Sequence, residues 1–337
     1  MLTRAFFLFS TLFLFTFSAA AQQAACTAPD IPVSVIKANG DSVEGLVAAD
    51  FIAELKKQPL PIQSATYDAG PRRILLVMDE TRELSADARK AEVEFAATIV
   101  SSAQPADSLA LVTARGSARE VKFGAERSAL MQSLNESREV QGKGKQLGVL
   151  DAVAEGISWF EPPQLGDSIV LIAMDLEGNH NTNLKSVTRL LEEHRIRLFG
   201  VALGHLELRN QTSAVQMTGR QGMGYVDPGM PMWGQMGDAN FLPLTVNSGG
   251  YIVPEDTLSK LHEFKLTDIK KQQLQKTAST MSGLIDKFYA VRISSTPSAH
   301  SEPWTLGLNP GKLQGLPGAH VLYPHEVGPC PAAAAGR

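Results

Sequence analysis

Three apolar runs in the middle of the chain constrain the fold most, because they do not alternate with polar residues. They are residues 74–78 (ILLVM), 168–174 (SIVLIAM) and 197–203 (RLFGVAL). Strands buried on both faces have this composition, and they belong to parallel sheets covered by helices on both sides. Segments with helical spacing of apolar residues lie between the runs, at 85–102 and 184–194. The sequence therefore predicts an α/β fold with a doubly wound, mostly parallel sheet.

Strands of another kind flank this domain. Val33 and Val35 alternate with polar residues near the N-terminus, and residues 288–294 and 304–308 alternate near the C-terminus. Alternation is typical of antiparallel strands that have one buried face. We expect the C-terminal strands to pair with one another, and a pairing with the N-terminal strands is a further option.

These patterns divide the sequence into four parts. A segment of secretory-signal type comes first and a small β-rich segment follows it. The α/β domain then contains one irregular insertion rich in Gly, Met and Pro, and a β segment with a tail ends the chain. The boundaries are 1–21, 22–70, 71–295 with the insertion at about 209–240, and 296–337.

Regular patterns return after the insertion. Residues 242–246 and 250–253 are largely apolar and lie on either side of a Ser-Gly-Gly turn, which indicates two short strand pieces. Residues 257–286 have a largely helical pattern.

The N-terminus has the layout of a cleaved secretory signal. Arg4 precedes an apolar stretch at 5–17, and small residues follow at 19–21. A retained membrane anchor is the first alternative, but a spanning helix needs about 20 apolar residues. A lipid anchor on Cys26 is the second, and Gln23 stands where such signals have a bulky aliphatic residue. We therefore expect an exported protein, in the periplasm or outside the cell.

The two cysteines lie near the two ends of the mature chain, at Cys26 and Cys330. In an exported protein such a pair can form a disulfide that joins the termini. Two separate thiols remain the alternative. A pair alone does not make a zinc site.

The charge of the chain excludes one class of partner. The formal net charge is -4, the pI is about 6.0, and no polybasic cluster occurs. Such a chain has no positive field to attract a phosphate backbone. Nucleic acid is therefore not an expected partner.

Acidic residues follow two of the predicted parallel strands. Asp79 ends the first apolar run and Asp175 ends the second. Because parallel strands share one carboxyl edge, where ligands bind in such sheets, both carboxylates should lie at that edge. Thr81 and Glu83 follow Asp79 at a spacing of two residues.

The stretches DETRE, GKGKQLGVLDAVAEGI, MDLEGNHN and RLFGVALG resemble a von Willebrand factor A domain. The resemblance covers roughly residues 71–294. With its flanks, VSVIKANGDSVEGLVAADF before the domain and Tyr323, Pro324 and Cys330 after it, the whole chain is similar to exported VWFA-related proteins of the acidobacterial type. The resemblance implies a Rossmann-like fold and a binding or adhesion function.

The resemblance also implies a position for a metal-ion-dependent adhesion site. In such a site, carboxylates and hydroxyls form an oxygen shell for Mg²⁺ or another divalent ion. Asp79, Thr81 and Asp175 match ligand positions, whereas Glu83 replaces a serine and Leu147 stands where a threonine ligand is expected. We predict an incomplete site and no resident cofactor, with Mg²⁺, Mn²⁺ or Ca²⁺ binding as the alternative. If no metal binds, Asp79 and Asp175 are expected to cap helix N-termini.

Enzyme classes fit the sequence less well. A phosphotransferase with Asp79 as nucleophile needs a second Asp at the position of Thr81. An α/β hydrolase needs a G-x-S-x-G motif, which is absent, and a nucleotide site needs a glycine-rich loop where residues 80–84 have no glycine. The sequence thus favours a non-enzymatic module that binds a protein, a peptide or a cell-surface ligand.

Overall fold

The fold is seen in a computed structural model that describes most of the chain between residues 30 and 327. The described ranges are 30–37, 40–80, 86–114, 120–137, 148–173, 181–202, 241–253, 266–294 and 301–327. The predicted signal segment, most of the insertion and both cysteines lie outside them.

Strands and helices alternate in the middle of the chain, and strands dominate at both ends. The strands are β1 (Ile31–Ile36), β2 (Phe51–Leu55), β3 (Gln58–Pro59), β4 (Ile62–Asp68), β5 (Arg73–Met78), β6 (Ser108–Thr113), β7 (Ser168–Ala173), β8 (Arg197–Ala202), β9 (Ile252–Val253), β10 (Phe288–Ile293), β11 (Glu302–Leu308), β12 (His320–Leu322) and β13 (Glu326–Val327). The helices are α1 (Ala86–Ser102), α2 (Arg127–Ser137), α3 (Val149–Ile157), α4 (Leu184–His194), α5 (Phe241–Asn247), α6 (Asp268–Asp286) and α7 (Pro310–Gly315).

The central sheet is parallel throughout, in the order β6-β5-β7-β8-β9. Side chains of one strand alternate between its two faces. Ile74, Leu76 and Met78 of β5 pack with α1, α2 and α6 on one face, and Leu75 and Val77 pack with α3, α4 and α5 on the other. Both faces are covered, which explains why the strands are apolar without alternation. The predicted α/β fold with a doubly wound parallel sheet is confirmed.

The terminal segments form two antiparallel sheets with a shared core, which we call the sandwich. Their orders are β12-β1-β10-β4 and β13-β11-β2-β3. Val33, Tyr289 and Trp304 belong to the shared core of the two sheets. The optional pairing of C-terminal with N-terminal strands is confirmed, because β10 pairs with β1 and β4, and β11 pairs with β2. The expected pairing of residues 288–294 with residues 304–308 is wrong, because β10 and β11 lie in different sheets, and the C-terminal partner of β11 is the short β13. The division of the chain at residues 71 and 296 stays a prediction. Strand β10 ends before residue 296, yet it belongs to the antiparallel sheets.

Strand β1 is buried on both faces, although its alternating sequence predicted one exposed face. Val33 and Val35 face the core of the sandwich. On the other face, Ile36 packs in the cluster that contains α6, and the Ser34 hydroxyl lies 3.5 Å from the main-chain oxygen of Leu284 in that helix. The small polar Ser34 fits there because the helix covers it and supplies an acceptor.

The segment 242–246, predicted as a strand piece, lies in helix α5 instead. Its run of apolar residues was too short for periodicity to separate a strand from a buried helical turn. After the helix, Gly249 has φ +74°, and a β-carbon on Gly250 would lie 1.8 Å from the main-chain oxygen of Leu198. The two glycines thus let the chain turn tightly against β8 before β9, the second predicted piece, begins.

A buried arginine joins the parallel sheet to the antiparallel sandwich. Arg197, at the start of β8, is fully buried and donates to the main-chain oxygens of Leu284 (3.0 Å) and Ile285 (2.7 Å) at the end of α6. Its guanidinium carbon lies 4.5 Å from the ring centroid of Phe288. Burial, and next the charge of Arg72, lowers the pKa of Arg197 to about 9. The last carbonyls of a helix have no partners within the helix, so the guanidinium satisfies them.

A second arginine supports the same joint. Arg72 donates to Asp68 Oδ1 (2.7 Å) in β4 and to the main-chain oxygen of Asp286 (2.9 Å). Its guanidinium carbon lies 4.3 Å from the centroid of the Phe288 ring. The ring of Phe288, the first residue of β10, therefore packs against two guanidinium groups, from Arg72 just before β5 and from Arg197 at the start of β8.

None of the helices in the described ranges is long and apolar enough to cross a membrane.

Replacing Arg197 by Met should destabilise the fold. The variant keeps most of the side-chain volume but removes the charged donor from both carbonyls, and the Ser34 hydroxyl at 3.5 Å then remains beside the oxygen of Leu284. A buried group without a partner costs about 1–3 kcal/mol. We expect a loss of about 2–4 kcal/mol in the free energy of unfolding, measured by urea denaturation. Arg189→Met on the exposed side of α4 is the matched control, with a change within about 0.5 kcal/mol. Equal midpoints for the two variants would contradict the role given to Arg197.

Candidate functional site

The carboxyl edge of the parallel sheet carries two consecutive acidic residues after β5. Asp79 and Glu80 are 2% and 1% exposed. The main-chain N–H of Asp79 donates to the oxygen of Ile172 in β7 at 2.9 Å, so strand pairing continues one residue beyond β5. This bond fixes Asp79 at the edge, where its sequence position predicted it.

Two charged residues of α1 complete a buried group at this edge. Arg89 donates to the main-chain oxygen of Asp79 (3.0 Å) and to the carboxylate of Glu92. Glu92 is fully buried, and Arg89 is 5% exposed. We call Asp79, Glu80, Arg89 and Glu92 the edge cluster. It contains three carboxyl groups and one guanidinium.

The edge cluster changes the ionisation of Glu92. Burial raises the pKa of Glu92 well above its ordinary value, Arg89 opposes this shift, and the charges of Asp79 and Glu80 add to it. Burial disfavours the charged form of a carboxyl group, and the neighbouring carboxylates disfavour it further. The raised pKa of Glu92 thus follows from its burial beside Asp79 and Glu80.

Another carboxylate fixes the segment before α4. Asp151, in the first turn of α3, accepts from the main-chain N–H groups of Asn181 (3.0 Å) and Thr182 (2.7 Å). Burial opposes the shift, but these hydrogen bonds lower the pKa of Asp151 below its ordinary value. Asn183 then caps α4 by accepting from the N–H of Ser186. The chain that leaves the edge after β7 is thus tied to α3 as it enters α4.

The predicted site residues are only partly within the described ranges. Asp79 lies at the carboxyl edge as expected. The rest of the predicted metal set and the cysteine pair stay predictions, because these residues lie outside the described ranges: Thr81, Glu83, Leu147, Asp175, Cys26 and Cys330.

Sequence reasoning missed three members of the edge cluster. A signal for one of them existed, because Glu92 lies four and seven residues before Ala96 and Ile99, on the helical face that packs inward. A charged residue on such a face needs a partner, and Arg89 lies one turn before it. Glu80 had no comparable signal, since it follows a strand end where acidic residues are common.

The side chains in the described ranges do not by themselves form a set of ligands for a divalent metal ion. No three His, Cys, Asp or Glu side chains within the ranges given above are arranged to hold one. The cation that does lie beside Asp79 is the guanidinium of Arg89. A metal at this edge would need ligands from residues outside the described part and would lie close to a fixed positive charge.

The sequence matches no family model and no curated protein. Solved structures with similar folds include von Willebrand factor A proteins, as the resemblance in the sequence predicted. A von Willebrand factor type A structure from Catenulispora acidiphila is 9% identical, covering 77% of this chain and 51% of the other, with a TM-score of 0.40. An aerotolerance-related membrane protein from Bacteroides fragilis is 11% identical, covering 63% and 98%, with a TM-score of 0.41.

A proximal thread matrix protein from the mussel byssus, with a zinc-occupied metal-ion-dependent adhesion motif, is also similar. It is 13% identical, covers 69% of this chain and 50% of its own, and has a TM-score of 0.43. At these identities and TM-scores the similarities concern the fold and carry nothing about ligands or activity.

Replacing Glu92 by Gln should change how stability depends on pH. In the native protein the folded state keeps a proton on Glu92 that the unfolded chain loses near pH 4.5, so the free energy of unfolding falls as pH rises from about 4.5 toward the raised pKa. Glu92→Gln removes this loss. We expect the two proteins to be similarly stable at pH 4.5 and the variant to be the more stable above pH 7, by urea denaturation.

Glu136→Gln on the exposed face of α2 is the matched control, and its difference from the native protein should not change with pH. A Glu92→Gln variant that is less stable than the native protein at pH 8 would show that Glu92 is charged in the folded state.

Proposed function

We propose that this chain is an exported, non-enzymatic binding module. It recognises a protein, a peptide or a cell-surface ligand at the carboxyl edge of the parallel sheet, without a complete metal site. The observation that carries the proposal is the edge cluster, in which an arginine lies beside the strand-end aspartate.

The connections of the sheet support the carboxyl edge as the recognition surface. At that edge, residues 79–85, 114–126, 174–183 and 203–240 follow β5, β6, β7 and β8. At the opposite edge, residues 103–107, 158–167 and 195–196 connect helices back to strands. Binding residues in α/β proteins lie on the loops of the carboxyl edge.

The edge cluster supports recognition without a metal ion. Arg89 gives the carboxylates an internal counter-charge, and the raised pKa of Glu92 lowers their total charge further. A divalent ion at Asp79 would have to bind against the Coulomb repulsion of that guanidinium. The burial of Asp79, which is 2% exposed, argues against a phosphotransferase that uses it as the nucleophile. Such an enzyme also needs a second Asp two residues later, and this chain has Thr81 there.

The location of the surface can be tested by site-specific photo-crosslinking. Lys185, exposed in the first turn of α4, lies at the carboxyl edge, and Gln164, exposed before β7, lies at the opposite edge. A benzophenone amino acid at each position is irradiated in an envelope extract of the native host. We expect adducts from position 185 that excess unlabelled protein competes away, and none from position 164.

The matched pair makes the outcome decisive. Competable adducts from position 164 alone, or equal adducts from both positions, would place recognition elsewhere on the molecule. No competable adduct from either position would argue against a protein-binding module of this kind.

Metal independence can be tested by calorimetric titration of the mature protein with Mg²⁺, Mn²⁺ and Ca²⁺. We expect no saturable heat with any of them, because the described donors at the edge do not form a metal set. Saturable binding that Asp79→Ala abolishes, and that Asp268→Ala in the first turn of α6 leaves unchanged, would establish the metal-dependent alternative through Asp79, Thr81 and Asp175.

A further inference from the structure

One edge of the antiparallel sandwich differs from the others. Within the described residues, its two sheets end on β12, β4, β13 and β3. Strand β12 has three residues and β13 and β3 have two each, whereas β4 has seven. Short edge strands offer little backbone for pairing, so β4 alone presents a long edge there.

The parallel sheet has no comparable edge in its described part. Strand β9 has two residues. Strand β6 is longer, but its outer side is occupied at Leu111, which exchanges two main-chain hydrogen bonds with Val121 (2.8 and 2.9 Å). The long unpaired edge of the described structure is therefore β4.

The middle of β4 lacks the usual protection of an edge, although the strand begins at a register shift and ends on Asp68. Residues 62–67 (IQSATY) contain no charged residue, no proline and no glycine. Natural edge strands commonly carry lysine, proline or a bulge that prevents pairing with another chain. The pairing of β4 with β10 shifts register between Arg292 and Ile293, next to Ile62, so the regular part of β4 is residues 64–68.

We propose that β4 pairs antiparallel with β4 of a second copy of this chain, about a two-fold axis at Thr66. A two-fold axis perpendicular to a sheet keeps each side chain on the same face of the joined sheet. Successive residues of a strand point to opposite faces, so a residue can lie opposite the same residue of the other copy but not opposite the next one. Centring the pairing on Thr66 uses the whole regular part. Thr66 then lies opposite Thr66 of the other copy, Ala65 opposite Tyr67, and Ser64 opposite Asp68. The two four-stranded sheets become one sheet of twice that width.

The side chains of β4 are compatible with pairing to β4 of a second copy. Ala65 and Tyr67 lie on the core face, where a small residue opposite a large one packs without crowding. Thr66 is exposed on the other face, and paired threonines are favourable in antiparallel sheets. The one charge, Asp68, is bound to Arg72 at 2.7 Å in each copy and has no like charge opposite it. The edge is thus complementary to itself.

The size of the contact sets the kind of dimer. Five residues per copy bury far less than the roughly 1,200–2,000 Å² of a standard stable interface. The dimer is therefore reversible and depends on concentration. The surface lies in the sandwich, so this inference does not depend on recognition at the carboxyl edge.

Sedimentation velocity of the full mature chain over a range of concentrations tests the inference, with three variants. Thr66→Lys puts two like charges opposite each other at the axis and should raise the dimer dissociation constant by about tenfold or more. Thr66→Val keeps a β-branched residue and should dimerise as the native chain does. Thr305→Lys, exposed on the paired strand β11, makes the same change away from an edge and should have no effect.

Hydrogen exchange of the native chain gives a second measurement that needs no variant. Amides within residues 64–68 should exchange more slowly as concentration rises, whereas those of β11 should not change. A chain that stays monomeric to millimolar concentration, or a dimer unaffected by Thr66→Lys, would overturn the proposal. Concentration-dependent protection of another segment would do so as well.

Discussion

The burial of the Arg197 guanidinium is the interaction on which the rest of the structure depends. A guanidinium with no exposed surface needs acceptors, and the main-chain oxygens of Leu284 and Ile285 supply two of them at the end of α6. The last carbonyls of a helix lack partners within the helix, so the contact serves both groups. Because Arg197 begins β8 and Phe288 begins β10, one side chain sets the position of the parallel sheet relative to the antiparallel sandwich.

The contact of Arg197 with the end of α6 also affects the position of the edge cluster. Helix α6, held at its end by Arg197, packs beside α1 on the same face of the sheet. Helix α1 carries Arg89 and Glu92, so its position decides how close their charges come to Asp79. The carboxyl edge is thus built on packed elements, and one of its carboxylates, Glu92, is paired with Arg89 within the fold. A binding surface of this kind can remain in place before any ligand arrives.

Burial explains which parts of the structure could be predicted from the sequence. Strands at residues 74–78 and 168–173 were predicted correctly because burial on both faces leaves a continuous apolar run. Residues 242–246 were predicted wrongly, since a largely apolar segment of five residues fits a buried helical turn as well as a strand. Of the edge cluster only Asp79 was predicted. Glu92 had a signal in its spacing from Ala96 and Ile99 that was missed, and Glu80 had none. Whether a metal binds depends on Thr81, Glu83 and Asp175, which stay predictions.

The order of strands in the sandwich has a consequence for the making of the protein. Ile31 pairs with Val291, and Ser34 pairs with Leu322, so β1 lies between two strands from the far end of the chain. A ribosome produces β1 first and its partners last. During synthesis both edges of β1 lack their partner strands until the α/β domain has been made. Strand β1 therefore cannot complete its sheet until residues 288–322 have left the ribosome, and the antiparallel sheets form after the strands of the parallel sheet have been synthesised.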